Sequence, residues 1–133
     1  MRRIDFLKEF SVFSGILGFV SFSGKMFSDG IPRNAKCILK FHIAGYIFYD
    51  GEKIEQRIKK GTVLTLRSEK DNPHDKNAVE ILMNNYKLGY IPQYCNEVIS
   101  NMLVNEVKLY SIAESISRDN PSWKRIEVGI YLN

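Results

Sequence analysis

The sequence predicts a compact domain of the mostly β or α+β class, with six strands and two short helices, preceded by a separate N-terminal leader. Three observations lead to this prediction. The chain has 133 residues and a hydrophobic content of 44%, which is enough to bury the core of one domain. From residue 36 onward, the apolar residues recur mainly with the period of strands. The first 33 residues differ in composition, so we place the domain at 36–133.

The leader at 1–33 has the three-part organisation of an export signal. A charged start precedes an apolar stretch that is diluted by Ser and Gly and is too short to span a membrane comfortably. Arg2 and Arg3 precede Phe6-Leu7-Lys8, which resembles a twin-arginine signal with one extra residue between the two parts. The alternative is an amphipathic helix that packs on the domain or anchors it to a surface. The protein is exported or envelope-associated in the first interpretation, and otherwise cytoplasmic.

The strands are predicted by short runs of apolar, β-branched and aromatic residues between turn signals. The predicted strands are CILKFHIAGYIFY (37–49), GTVLTLRSE (61–69), NAVEILMN (77–84), YKLGYIP (86–92), EVKLYSIAESI (106–116) and WKRIEVGIYL (123–132). Gly45 interrupts the first strand, which indicates a bulge or the close approach of another backbone segment. Asn84 and Asn85 indicate a tight hairpin, because Asn tolerates the left-handed conformation that such turns need.

Two segments have helical periodicity instead. The segment EKIEQRIKK (52–60) places Ile54 and Ile58 four residues apart. The segment YCNEVISNMLV (94–104) places five apolar residues on one predicted face, namely Cys95, Val98, Ile99, Met102 and Leu103. We therefore expect two short helices between the strands.

Composition and motifs exclude several classes of function. The 19 Lys and Arg exceed the 15 Asp and Glu and give a charge of +4 that is spread along the chain, a weak indication of an anionic partner. Cys37 and Cys95 lie outside any C-x-x-C spacing, which excludes a zinc knuckle or a thioredoxin-like motif. The sequence has no glycine-rich phosphate loop and no H-E-x-x-H. Asp71, Asn72 and Asp75 supply too few carboxylates for a Ca²⁺ or Mg²⁺ site. We predict a protein that is not an enzyme and has no metal or cofactor.

Three blocks of the sequence resemble the HIRAN domain family. They are AGYIFYDG (44–51), GTVLTLRSEKDNPHDKNAVEI (61–81) and KLGYIPQYCNEVISNML (87–103). The middle block is the most specific, because Asn72-Pro73, Asp75 and Asn77-Ala78 stand at the family's spacing. The resemblance runs from about residue 38 to the end of the sequence.

The resemblance implies an OB-like fold and a nucleic-acid-binding function. HIRAN domains occur fused to DNA-repair ATPases of the helicase superfamily and as short free-standing bacterial proteins. In the repair ATPases they bind single-stranded DNA at its 3′ end, in a pocket between the aromatics of the first strand and the N-P-x-D loop. The sequence contains no helicase, nuclease or RING segment, so the resemblance implies binding without catalysis. The expected partner is single-stranded DNA, with a protein as a second option.

The N-P-x-D loop is expected to act both as a scaffold and as a contact. Pro73 fixes its own φ and favours extended geometry at Asn72, while Asn72 and Asp75 can accept hydrogen bonds from nearby amides. His74 would then project from a rigid turn, where the family often carries an aromatic, and its imidazole could stack on a base. For Asn72 and Asp75, a structural role and a ligand contact both remain open.

The first-strand block departs from the family. Repair-type members place an arginine beside the stacking tyrosine, whereas Ile47 and Phe48 stand at these positions here, followed by Tyr49. Losing a bidentate guanidinium removes a contact worth about 1–3 kcal/mol. The resemblance implies stacking from Phe48, His74 and Tyr90. The full set of expected nucleic-acid-binding residues is Phe48, Tyr49, Arg67, Asn72, His74, Asp75, Lys76 and Tyr90, with Arg67 and Lys76 supplying charge.

An alternative function is that of an exported adaptor. It would keep the fold and use the same aromatic surface for a protein, a peptide or another envelope ligand. The leader and the missing arginine favour this alternative, because an exported protein meets little repair substrate.

Overall fold

A computed structural model describes residues 30–133. The predicted twin-arginine-like motif and the apolar stretch after it lie outside the described residues, so both interpretations of the leader stay predictions. Among residues 30–133, no helix has the length and apolar character needed to cross a membrane.

Residues 30–133 form six strands and two helices, as predicted. The strands are β1 (Lys36–His42), β2 (Val63–Ser68), β3 (Val79–Met83), β4 (Tyr86–Tyr90), β5 (Leu109–Ile116) and β6 (Ile126–Leu132). The helices are α1 (Gly51–Ile54) and α2 (Gln93–Val104), and short 3₁₀ helices lie at Tyr46–Phe48, Glu55–Arg57 and Ser122–Lys124. Asn84 has a φ of 57° in the β3–β4 turn, which confirms the predicted hairpin.

All pairs among these six strands are antiparallel, and the sheet order is β1-β6-β5-β2-β3-β4. The two edge strands approach each other, because an isolated bridge joins Ala44, just after β1, to Tyr90 at the end of β4. Gly89 permits this approach, since a Cβ at its position would overlap the Ala44 carbonyl oxygen. The sheet is therefore curved and unclosed, with one bridge where a full barrel would have a complete ladder.

The core lies inside the curved sheet and under α2. It includes Ile43, Ile81, Leu88, Ile99 and Val128, each with at most 1% of its surface exposed. Burying such a side chain contributes about 1.5–3 kcal/mol.

The prediction for the buried face of α2 is partly wrong. Ile99 is buried, and Cys95, Met102 and Leu103 pack against the core, but Val98 is 60% exposed. The helix turns Asn96 inward instead, where its side chain finds a hydrogen-bond partner in the β2–β3 loop.

The first predicted strand, 37–49, is too long, because β1 ends at His42. Gly45 adopts the left-handed conformation with a φ of 72° and turns the chain into the Tyr46–Phe48 3₁₀ helix. Tyr46 is buried, and its hydroxyl donates to the Glu55 carboxylate at 2.7 Å. Ile47 and Phe48 consequently face solvent, so the aromatics of this block do not form one continuous strand face.

Candidate nucleic-acid-binding site

The β2–β3 loop is held in shape by its own polar side chains. The Asn72 side-chain oxygen accepts hydrogen bonds from the backbone N–H of His74 at 2.8 Å and of Asp75 at 3.1 Å. The Asp75 carboxylate accepts one from the Asn77 backbone N–H at 2.9 Å and another from the Asn96 side chain at 2.8 Å. The expected scaffold role of Asn72 and Asp75 is thus visible as hydrogen bonds.

His74 projects from this rigid loop. This residue is exposed, and its imidazole has no hydrogen-bond partner among residues 30–133. Since Asn72 fixes the backbone beneath the ring, a ligand that contacts His74 does not have to order the loop. The ring is therefore free to contact a ligand.

A cavity of about 280 Å³ lies beside His74, at the bridge between the edge strands. Three segments line it: the end of the first strand block, the β2–β3 loop, and the turn between β4 and α2. The lining residues are Ala44, Gly45, Tyr49, Asn72, His74, Asp75, Ala78, Tyr90, Ile91 and Gln93.

Two tyrosines form the aromatic wall of the cavity. The rings of Tyr49 and Tyr90 pack edge to face, with centroids 5.7 Å apart and an interplanar angle of 71°. The Lys87 ammonium lies 4.5 Å from the centroid of Tyr49 and 4.2 Å from that of Tyr90. These cation–π contacts hold two rings from different elements against one another.

A polar network connects the aromatic wall to the loop. Lys87 donates to the Tyr90 hydroxyl at 2.5 Å and forms ion pairs with Glu69 at 3.4 Å and Glu80 at 3.7 Å. Tyr90 in turn donates to Glu69 at 2.8 Å, and Glu69 also accepts a hydrogen bond from the Asn72 side chain at 3.2 Å. The wall and the loop are therefore cross-linked behind the cavity.

The network sets the protonation states of its members. Burial raises the pKa of the Glu69 carboxyl, but hydrogen bonds from Tyr90 and Asn72 and the charge of Lys87 outweigh burial, so this pKa is below its usual value. Burial lowers the pKa of Lys87, but its bond to Tyr90 and the nearby carboxylates leave that pKa above its usual value. Burial raises the pKa of the Tyr90 phenol, and its bond to Glu69 adds to the rise. At neutral pH the network holds an ionised Glu69, a charged Lys87 and a neutral Tyr90.

Comparison with known proteins identifies the family. The family model of the HIRAN domain matches residues 38–133, which is most of the chain.

The chain belongs to the HIRAN domain family.

HIRAN domains are nucleic-acid-binding modules and are generally non-catalytic.

Two solved structures show the same fold. One is a crystal structure of a protein from Lactobacillus plantarum, with a TM-score of 0.64 and 21% sequence identity. The aligned region covers 73% of this chain and 93% of that chain. The other is the crystal structure of the HIRAN domain of human HLTF, with a TM-score of 0.55 and 16% sequence identity. The aligned region covers 70% of this chain and 72% of that chain. A search of curated proteins found no match.

The structure of this HIRAN domain brings together five of the eight residues expected at the site. Tyr49, Asn72, His74, Asp75 and Tyr90 all line the cavity, although they come from three separate segments.

The other three expected residues lie outside the cavity lining. Phe48 is 80% exposed on the neighbouring 3₁₀ helix, and Lys76 is exposed on the loop. Arg67 forms an ion pair with Glu80 at 2.5 Å and lines a different cleft, behind the loop. Its guanidinium is therefore already partly neutralised.

Sequence reasoning missed three polar residues that support the site. Glu69 and Lys87 form the network behind the aromatic wall, and Asn96 anchors Asp75. Asn96 had a usable signal, because it is a polar residue next to Cys95 in a helix with a predicted apolar face. Lys87 stands two residues before the Gly-Tyr-Ile-Pro motif, and no periodicity in the sequence would place it between two rings.

Proposed function

We propose that this HIRAN domain captures the 3′ end of single-stranded DNA in the cavity between the β2–β3 loop and the aromatic wall. The observation that carries the proposal is the opposition of Tyr49 and Tyr90 to an exposed His74 on a self-supported loop. Bases stack on aromatic side chains with about 1–3 kcal/mol per base, so this arrangement suits an unpaired nucleotide.

The size of the cavity favours the end of a strand. Its volume of about 280 Å³ lies just below the range of about 300–1,000 Å³ for small-molecule pockets. A terminal nucleoside fits such a space better than a longer segment does. Double-stranded DNA presents its bases already stacked, and we expect it to bind less well.

Asp75 supplies a physical reason for preferring a hydroxyl end. Each of its carboxylate oxygens accepts one hydrogen bond within the protein, and a carboxylate offers about four acceptor positions in total. A terminal hydroxyl can therefore donate to the remaining lone pairs. A terminal phosphate would instead meet the negative charge of Asp75 and be repelled.

Fluorescence anisotropy tests the proposal. Oligothymidylate labelled at its 5′ end is titrated with protein, once with a free 3′ hydroxyl and once with a 3′ phosphate. We expect tighter binding of the hydroxyl form, and we expect Tyr49→Ala to weaken it by about tenfold or more, since about 1.4 kcal/mol corresponds to tenfold.

Tyr94→Ala provides the matched control. Tyr94 is 83% exposed on α2 and does not line the cavity, so its removal should leave the affinity unchanged. Equal affinity for the two ends, or an equal loss in Tyr94→Ala and Tyr49→Ala, would contradict capture of the end in this cavity.

The proposed activity is binding alone. Among residues 30–133, no three or more His, Cys, Asp or Glu side chains are grouped to hold a metal ion. The polar groups of the network bond to one another, and His74 has no carboxylate partner in the described part of the chain that would activate it. Labelled DNA incubated with the protein should remain intact, and its cleavage would overturn this part of the proposal.

A further inference from the structure

A second concave surface lies away from the cavity, between the segment that follows α1 and the end of β5. It has a volume of about 600 Å³. Its lining residues are Gln56, Ile58, Lys59, Lys60, Ile116, Ser117, Arg118 and Asp119, and we refer to it as the basic groove. Three of these side chains are cationic and one is acidic, so the groove carries a positive excess.

The two lysines of the basic groove stand on a fixed turn. The Lys59 backbone N–H donates to the Thr62 hydroxyl at 2.8 Å, and the Thr62 N–H donates to the Lys59 carbonyl at 2.9 Å. The Gly61 N–H donates to the Ala113 carbonyl of β5 at 2.8 Å, which anchors the turn to the sheet. Lys59 and Lys60 are exposed and have no acidic partner among residues 30–133. Their charges therefore remain available to an anion.

Arg118 joins the two walls of the groove. Its guanidinium donates to the Glu55 carbonyl at 3.0 Å and lies 3.5 Å from the Glu55 carboxylate. Arg125 also contacts this carboxylate at 3.2 Å, so the charge of Glu55 is compensated twice. The acid behind the groove therefore does not cancel the charges of Lys59 and Lys60.

Neighbouring elements connect the cavity to the basic groove. Gly45 lines the cavity, and the 3₁₀ helix that follows it packs against the Ser122–Lys124 3₁₀ helix. These two helices expose Phe48 by 80% and Trp123 by 67%. The Ser122–Lys124 helix belongs to the same β5–β6 connection as Arg118. The two ends of this connection are joined by a hydrogen bond from the Ser117 N–H to the Arg125 carbonyl at 2.9 Å. Exposed aromatics followed by cations are typical of surfaces that bind single strands.

We propose that the basic groove binds the backbone phosphates of a single strand of nucleic acid, upstream of the nucleotide held in the cavity. This inference rests on the proposed function for the direction of the strand. The groove supplies affinity that depends on strand length and salt, while the cavity supplies the preference for an end. Lys59 and Lys60 are the phosphate-binding residues.

The test compares two double variants with the same charge change. Lys59→Gln with Lys60→Gln removes the groove charges, and Lys36→Gln with Lys40→Gln removes two exposed lysines of β1 as the control. Both are titrated against 5′-labelled oligothymidylates of about 4 and about 16 nucleotides, the limits of the footprint of one OB fold. Thermal melts first establish that both variants are folded.

The readout is the slope of the logarithm of affinity against the logarithm of salt concentration. Each phosphate contact with a single strand contributes about 0.7 to this slope, so the groove variant should lose about 1.4 with the long strand. It should lose little with the short strand, which the cavity can hold alone. The control variant should keep the wild-type slope with both strands. Equal slopes for the two variants on the long strand would overturn the proposal.

A circular single strand separates this inference from the proposed function. It offers phosphates without an end, so its binding tests the groove alone. If linear and circular strands bind the wild type equally, end capture fails, but a reduced slope in the groove variant still supports the groove. If end preference is present and the groove variant keeps the wild-type slope, the groove proposal fails and end capture stands.

Discussion

Tyr90 and Glu69 are 21 residues apart in the sequence, yet the Tyr90 hydroxyl donates a hydrogen bond to the Glu69 carboxylate over 2.8 Å. Glu69 stands at the start of the β2–β3 loop, and Tyr90 ends β4. Since Glu69 also accepts a bond from Asn72, the loop and the aromatic wall are held in one arrangement before a ligand arrives. Such preorganisation lowers the entropic cost of binding.

The network predicts acid sensitivity that Glu69→Gln should remove. The pKa of Glu69 in the folded protein is below its usual 4.5. The ionised carboxylate therefore stabilises the fold fully above about pH 4.5, and this stabilisation is lost as the pH falls through the lower pKa of the folded protein. Urea unfolding of wild type and Glu69→Gln at a series of pH values measures this effect. The difference in unfolding free energy between them should shrink towards acid pH, and a constant difference would contradict the prediction.

Lys87 should be required for the geometry of the aromatic wall. Lys87→Met leaves Glu69 and the buried Glu80 with less compensation, and we expect a loss of about 1–3 kcal/mol in unfolding free energy, together with weaker DNA binding. Lys87→Arg keeps the charge and should retain most of the stability. Chemical denaturation provides the measurement, and equal stability of Lys87→Met and wild type would exclude this role.

Asp75→Ala should destabilise the loop and thereby the site. It leaves the Asn77 backbone N–H and the buried Asn96 side chain without their acceptor, at a cost of about 1–3 kcal/mol. Asp71→Ala is the matched control, because Asp71 is exposed in the same loop and its side chain makes no hydrogen bond within residues 30–133. Thermal melts should show a lower Tm for Asp75→Ala alone.

His74→Ala should separate ligand binding from stability. The side chain is exposed and unbonded, so its removal should change the unfolding free energy by less than about 0.5 kcal/mol while weakening the binding of single-stranded DNA. Leu64→Ala provides the contrast, because Leu64 is 4% exposed and its truncation should cost about 2–5 kcal/mol. If both variants lost similar stability, the histidine would belong to the packing of the domain.

The twin-arginine interpretation of the leader makes a cellular prediction. Replacing Arg2 and Arg3 with lysine should retain the full-length protein in the cytoplasm, because that export route depends on the arginine pair. Cell fractionation shows the compartment of the protein, and a mass measurement shows whether the protein is still full-length. Unchanged fractionation would favour the amphipathic-helix interpretation.

Strand periodicity was sufficient to predict the sheet, because alternation reflects burial on one face of each strand. It failed at 43–49, where Gly45 turns the chain and converts the expected strand end into a 3₁₀ helix. Residues 46–49 are all apolar or aromatic, so this run has no period that distinguishes a strand from a helix. Local pattern therefore could not place Phe48 in solvent.

The loop was predictable for a different reason. The bonds of Asn72 and Asp75 to backbone amides join residues two or three positions apart, so a sequence pattern can encode them. The ion pair of Lys87 with Glu69 spans 18 positions and depends on the register of β4 against β3. Sequence spacing alone carries no information about such a contact.

The bridge between Ala44 and Tyr90 has a consequence for hydrogen exchange. Two hydrogen bonds of 2.9 Å, from Ala44 N–H to the Tyr90 carbonyl and from Tyr90 N–H to the Ala44 carbonyl, join the edges of the sheet where the cavity lies. Opening this seam costs few contacts, so these two amides should exchange faster than those of the central strands. A nucleotide that touches Tyr49 on one side and Gln93 on the other spans the seam, and it would slow the exchange of both amides by closing a sheet that the protein itself leaves open.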